Sequence, residues 1–192
     1  MKKRVGVWVH GFHLQAKIWK KIIWGEPPDL LGRLPKAVLV TLEEKAELLG
    51  FGTGASEING KKEAEFIRDY LLEHFSELAE FTAFQGINLV QARKKVASIS
   101  KLELQSQNTK QEAEFAVEML EKHGIEKIFL VSSPVHLPRC LRDYCIAVEK
   151  QRGKLRVSDI YATPSQTYWG GAGLSNLVIT EPPHRPDDKR IS

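Results

Sequence analysis

Residues 109–139, TKQEAEFAVEMLEKHGIEKIFLVSSPVHLPR, decide the fold class. The stretch opens on Thr109-Lys110-Gln111-Glu112, a Thr-x-x-Glu pattern whose hydroxyl and carboxylate can each satisfy a free backbone N–H at a helix start. Ala113, Ala116, Val117 and Leu120 then recur at helical spacing, and Gly124 supplies a natural stop. Ile125–Val131 follows as a short apolar run, the pattern of a strand buried on both faces. After the polar segment Ser132-Ser133-Pro134-Val135-His136, a second helix is expected from Leu137 to about Gln151, with Pro138 tolerated in its first turn. A doubly buried strand between two helices points to a parallel sheet covered on both sides.

The same alternation runs outward in both directions. Val5–Val9 reads as a first strand, ending at His10-Gly11. Trp24–Pro35 is rich in Gly and Pro and reads as loop, with Pro35 opening a helix through Lys45. A second strand is expected at about Glu47–Phe51, and a long helix over Lys61–Phe81 carries Ala64, Ile67, Leu71, Phe75 and Leu78 toward the sheet. A helix over Gly86–Ser98 and a short strand over Ile99–Leu104 complete the N-terminal half. Beyond residue 153 two β-rich runs, Leu155–Tyr161 and Leu177–Thr180, flank a turn at Gly170-Gly171-Ala172-Gly173, and residues 181–192 read as a tail. No linker or repeat divides the chain. The expectation is one α/β domain over residues 1–192, three-layered around a mostly parallel sheet.

Composition agrees and narrows the function classes. The 192 residues are 42% apolar and 27% charged, which suits one globular domain with a real core. No run approaches the roughly 20 apolar residues of a membrane span. The basic start, Met1 to Arg4, is followed by His10, His13 and Lys17 instead of a signal-peptide core, so a cytoplasmic protein is expected. With 28 Lys+Arg against 24 Asp+Glu the net charge is +4, mildly basic and evenly mixed. Arg93-Lys94-Lys95 reads as a solvated helix face, and no aromatic-interleaved basic stretch argues for nucleic acid. Cys140 and Cys145 fall on one helix with side chains in different directions, so no local disulfide is expected. Trp8, Trp19, Trp24 and Trp169 read as core.

In open α/β sheets ligands bind beyond the carboxyl ends of the strands. Five segments pass that filter. Gly52-Thr53-Gly54-Ala55-Ser56-Glu57 offers amides and hydroxyls to an anion. It is neither a dinucleotide fingerprint, because Glu57 stands where the third glycine belongs, nor a lysine-bearing P-loop. Glu103-Leu104-Gln105-Ser106-Gln107-Asn108-Thr109 leads into the capped helix and its partial positive charge. Ser132, Ser133, His136 and Arg139 crown the buried strand, joining a proton-transfer group to a guanidinium that grips phosphate or carboxylate. His10 with His13 after the first strand, and His184 with Arg185 after the last, are the remaining two segments. No His/Asp/Glu set has metal-ligand spacing, so no metal is expected.

Three of these segments together resemble the YdcF/SanA/ElyC-type family of domains of unknown function. They are the glycine turn followed by Lys62-Glu63-Ala64-Glu65, then Glu103 through Ala113, then Val131 through Arg139, covering about residues 47–145. The resemblance is that of a divergent member. Thr53 interrupts the family's Gly-Gly pair, Lys62 replaces a Ser, Ser132 a Thr and Glu112 a second Asn, and His10-Gly11 stands where a Leu-Gly-Gly turn belongs. The resemblance implies a Rossmann-like α/β fold and a site drawn from Gly52, Gly54, Glu63, Glu103, Ser106, Asn108, Thr109, Ser132, Ser133, His136 and Arg139. It also implies S-adenosylmethionine as a possible ligand.

The functional expectation is an enzyme acting on a small anionic molecule, phosphorylated or nucleotide-like. Arg139 and the Gly52–Gly54 turn are expected to hold the anion, and His136 and Glu103 to share acid–base work. The alternative is a non-catalytic binding module for a nucleotide-like ligand such as S-adenosylmethionine. A serine hydrolase ranks lower, since no Gly-x-Ser-x-Gly elbow is present.

Overall fold

The first strand, β1 (Val5–Val9), is buried at all five positions, as a strand covered on both faces must be. Its side chains alternate. Val5, Val7 and Val9 belong to one apolar cluster and Trp8 to the other. These are features of a computed structural model, which describes residues 3–151 and 156–167. The expected strand over 177–180, the turn at 170–173 and the tail lie outside the described residues, as does Trp169.

Four more strands join β1: β2 (Leu48–Phe51), β3 (Ser100–Leu102), β4 (Lys127–Ser132) and β5 (Asp159–Pro164). They form one sheet in the order β3-β2-β1-β4-β5, and every adjacent pair is parallel. Six helices accompany them among the described residues: α1 (Trp19–Ile23), α2 (Arg33–Glu43), α3 (Glu63–Glu73), α4 (Leu89–Ile99), α5 (Thr109–Lys122) and α6 (Leu137–Lys150). Leu34, Val38, Ile67, Leu71 and Val96 of α2, α3 and α4 pack with the valines of β1. Ala113, Val117, Leu120, Leu137 and Tyr144 of α5 and α6 pack with Trp8 on the opposite face. The result is a three-layer α/β fold of Rossmann-like type. No helix among the described residues is long and apolar enough to cross a membrane.

Three expectations need correction. The helix expected over 61–81 ends at Glu73, and Phe75–Glu80 and Thr82–Phe84 are 3-10 turns. The reason is legible in spacing: Phe75, Leu78, Phe81 and Phe84 recur every third residue and all are buried. A period of three aligns one face of a 3-10 helix, whereas an α-helix would rotate them away. Trp24–Pro35 is also less irregular than expected. Gly25–Glu26 pairs with Leu30–Leu31 as a small antiparallel ribbon, and α2 begins at Arg33, so Pro35 sits inside the first turn, where its missing N–H costs nothing. Finally, the strand expected over 155–161 runs from Asp159 to Pro164, registered against β4 with Lys127 opposite Asp159.

Gly50 shows how tightly the second face is packed. A Cβ at this position would overlap the Trp8 ring, which is fully buried. Gly50→Ala should therefore cost about 2–3 kcal/mol of stability, read as a lower urea midpoint at unchanged slope.

Candidate functional site

The strand order β3-β2-β1-β4-β5 reverses between β1 and β4, and a crevice opens there beyond their carboxyl ends. His10 follows β1 and Ser133 follows β4, and the backbones are tied where His10 N donates to Val131 O at 3.0 Å. The starts of α2, α3, α5 and α6 reach the same rim, each bringing its first residues. A cavity of about 500 Å³ lies here, lined among others by Gly11, Arg33, Thr53, Glu63, Asn108, Thr109, Glu112, His136 and Arg139. Side chains from residues 108 and 136, widely separated in sequence, thus face one hollow.

Arg33 is the largest charge at the floor, and its burial is nearly complete, with 2% exposed. It opens α2, donates Nε to Ser133 Oγ at 3.0 Å, and donates Nη1 to the carbonyls of His10 (3.1 Å) and Gly11. Its guanidinium also lies 5.4 Å from the centre of the Phe12 ring. Sequence reading missed Arg33 because it stands in a loop-like Gly/Pro stretch with no helical stripe before it. Ser133, expected to contact ligand, holds this arginine in place.

Two carboxylates enter the cavity beside it. Glu63 is the first residue of α3 and 3% exposed, and its Oε2 accepts from Ser56 Oγ. Burial raises its pKa; the Ser56 bond and Arg33 work against that, Glu112 adds to it, and the value reaches about 7. Glu112 lies in the first turn of α5 and is also 3% exposed. Its Oε1 accepts from Trp8 Nε1 at 2.9 Å and stands 2.9 Å from His10 Nδ1, an ion pair more than an aligned hydrogen bond. The reading of Glu112 as a capping carboxylate is therefore corrected. The cap sits one residue earlier: Asn108 Oδ1 accepts from Gln111 N at 3.0 Å, and Gln111 Oε1 accepts from Gln107 N at 2.8 Å. Thr109 is the first helical residue, not the cap, and its hydroxyl is turned to the cavity side.

The two histidines divide their roles by charge. Burial works against a charge on His10, yet the acidic side chains Cys140 and Glu112 beside it outweigh that and raise its pKa to about 10. His136 is pushed the other way, by burial first and then by the positive charges of His10, Arg33 and Arg139, to about 2. His10 is the imidazolium and His136 the neutral ring, packed edge to face with centroids 5.6 Å apart. His136 occupies the cap position of α6 without capping through its side chain. Its Nδ1 lies 2.9 Å from Ser132 Oγ and 3.4 Å from Cys140 Sγ, and its Nε2 lies 3.3 Å from Thr109 Oγ1. The ring thus bridges the ends of β4 and α5.

Glu103 sits elsewhere. It is buried, and its carboxylate accepts from Gln105 N at 2.6 Å, Ser106 N at 2.9 Å and Ser106 Oγ. That engagement shapes the loop after β3 and lines a separate hollow against α5. Ser106, fully buried, lies 2.5 Å from Thr53 Oγ1, so the two turns are laced together. The glycines of the 52–54 turn serve packing. A Cβ at Gly52 would overlap Glu112 Oε1, and one at Gly54 would overlap Leu104 O. The amides of Gly52 and Ala55 donate within the chain, to Val9 O and Thr53 Oγ1, both at 3.3 Å. Arg139 is exposed at the mouth, as is His13, whereas His184 and Arg185 lie outside the described residues. No group of three or more His, Cys, Asp or Glu among the described residues could hold a metal ion. No protein-family model, curated protein or solved structure matches the chain.

Glu63 makes the pH dependence of stability directional. In the unfolded chain its carboxyl ionises near 4.5, but in the fold it keeps its proton up to about 7. Glu63 therefore subtracts stability as pH climbs through that window, while His136, held neutral with its pKa lowered to about 2, adds stability up to its ordinary value near 6.5. The two proteins share the His136 contribution, so thermal melts should show Glu63→Gln gaining on the unaltered protein between pH 5 and pH 7 by up to about 3 kcal/mol. The same pH profile in both proteins would contradict the burial argument.

Proposed function

We propose that the switch-point cavity binds a small anionic molecule, phosphorylated or nucleotide-like, and acts on it by acid–base chemistry. The observation that carries this reading is the meeting of Arg139, the starts of α5 and α6, and Glu63 around one cavity of about 500 Å³. Aligned dipoles at a helix start favour negative charge, and a guanidinium adds forked donors for phosphate or carboxylate. At α6 the dipole and Arg139 carry this, since the amides of His136 and Leu137 donate to Ser133 O and Pro138 has no N–H. A group that titrates near 7 can both take and return a proton at working pH, which suits Glu63 to general acid–base work.

His136 contributes in another manner. A ring held neutral does not store the proton; it orients, with Ser132 on one nitrogen and Thr109 on the other. Glu103, expected at the sequence level to share the chemistry, is given the role of loop organiser here, and the acid–base role passes to Glu63. His10 and Glu112 cancel one another's charge, and the positive charge at the floor beneath the anion is that of the Arg33 guanidinium. The likeness to the YdcF/SanA/ElyC-type segments supports the choice of residues and is part of the proposal. The 3-2-1-4-5 strand order also favours a second reading, a binding module for a nucleotide-like ligand such as S-adenosylmethionine.

Binding to the native state alone raises the melting temperature, so a panel of inorganic phosphate, AMP and S-adenosylmethionine separates the readings. The enzyme reading expects shifts with phosphate and AMP and about a tenfold or greater loss of phosphate affinity in Arg139→Ala, whose unliganded melt should stay unchanged because the residue is exposed. A shift with S-adenosylmethionine alone favours the binding module. No shift with any of the three at millimolar concentration sinks both.

His136→Gln should retain the fold and phosphate binding while turnover of any phosphorylated substrate found in such a panel falls at least about a hundredfold. Full activity in that variant would remove His136 from the chemistry.

A further inference from the structure

Gly11 and Gly52 raise a question that backbone geometry does not answer. Neither adopts a positive φ, the usual reason a turn demands glycine. What both lack is room. A Cβ at Gly11 would overlap Glu63 Oε1, and a Cβ at Gly52 would overlap Glu112 Oε1. The end of β1 and the end of β2 are thus kept bare so that two carboxylates can close over them into the cavity.

Each carboxylate is only half used. Glu63 gives Oε2 to Ser56, and Glu112 gives Oε1 to both Trp8 and His10. Glu63 Oε1 and Glu112 Oε2 accept no hydrogen bond among the described residues. Both side chains are only 3% exposed. A carboxylate has about four acceptor positions. Neither open oxygen is among the sealed, unpartnered polar atoms of the described residues, so both face the cavity, where a ligand donor can reach them. The same described residues offer no third ligand that would turn the pair into a metal site.

We infer that the ligand of this cavity is an anion that also carries a hydrogen-bond donor, an amine or a hydroxyl, which docks on the open oxygens of Glu63 and Glu112. The inference rests on the anion reading above and specifies its substrate class. The anionic group takes Arg139 and the helix starts, and the donor takes the carboxylates. A bare phosphate fills one half of such a site; an amino or hydroxy phosphate fills both. Glu63 then faces the ligand atom whose proton it is placed to exchange.

The test is calorimetric titration at pH 8, where Glu63 is ionised, in EDTA with four probes: inorganic phosphate, propyl phosphate, 2-hydroxyethyl phosphate and 2-aminoethyl phosphate. The two donor-bearing probes should bind about tenfold or more tightly than propyl phosphate, which matches them in size. Glu63→Met removes the acceptor at similar volume, and Glu63→Gln removes the charge while keeping an acceptor for Ser56. With native melting confirmed for each, the methionine variant should bind all three esters within about twofold of one another, and the glutamine variant should lose the preference for the amine. No preference in the unaltered protein, or a preference that survives both variants, overturns this inference and leaves anion binding standing. Failure of all four probes to bind overturns the anion reading itself.

Discussion

The site depends on one buried contact set: the Glu112 carboxylate against Trp8 Nε1 and His10 Nδ1, both at 2.9 Å. It joins the first turn of α5 to the centre and the end of β1, the middle strand of the sheet. A charge taken out of water needs partners of opposite sign and good geometry, and breaking such a set leaves an uncompensated ion. Gly50 gives the indole its space and Gly52 gives the carboxylate its own. Two glycines, a tryptophan, a histidine and a glutamate from three elements therefore act as one unit.

From that unit the electrostatics of the rim follow. With Glu112 beneath it, His10 carries a proton, and its charge helps keep His136 neutral. Glu63 feels Glu112 as a like charge and Arg33 as an opposite one, on top of its own burial. Neutral His136, protonated His10 and a Glu63 poised near 7 are consequences of a shared arrangement, not properties of each residue alone. Helix starts reach the same place because each crossover in a parallel sheet returns its helix from the carboxyl edge.

Much of the fold was legible from local pattern. The doubly buried run before Ser132, the Val5–Val9 strand and the stripe of α5 all carry their own period, and the structure has each within a few residues. The break at His74 was legible in principle: Phe75, Leu78, Phe81 and Phe84 repeat in threes, but a reading tuned to helical spacing absorbs the first two into a longer helix. The site was legible by half. His136, Arg139, Asn108, Thr109 and Thr53, which strand-end reasoning singled out, line the cavity, as does Glu63, which only the family resemblance suggested. Arg33 was not, because nothing local distinguishes a buried arginine from a solvated one.

The amino-acid sequence by itself determined the layers, the parallel sheet and the edge at which polar side chains gather, because periodicity and strand-end position are properties of neighbouring residues. Only the tertiary structure decided which carboxylate faces the hollow. Glu103 and Glu112 both flank the start of α5, yet one is spent on the amides of Gln105 and Ser106 while the other reaches Trp8 and His10 across the sheet. Burial, partner charge and the room left by a distant glycine set those fates, and none of the three is encoded within a few residues of the side chain concerned.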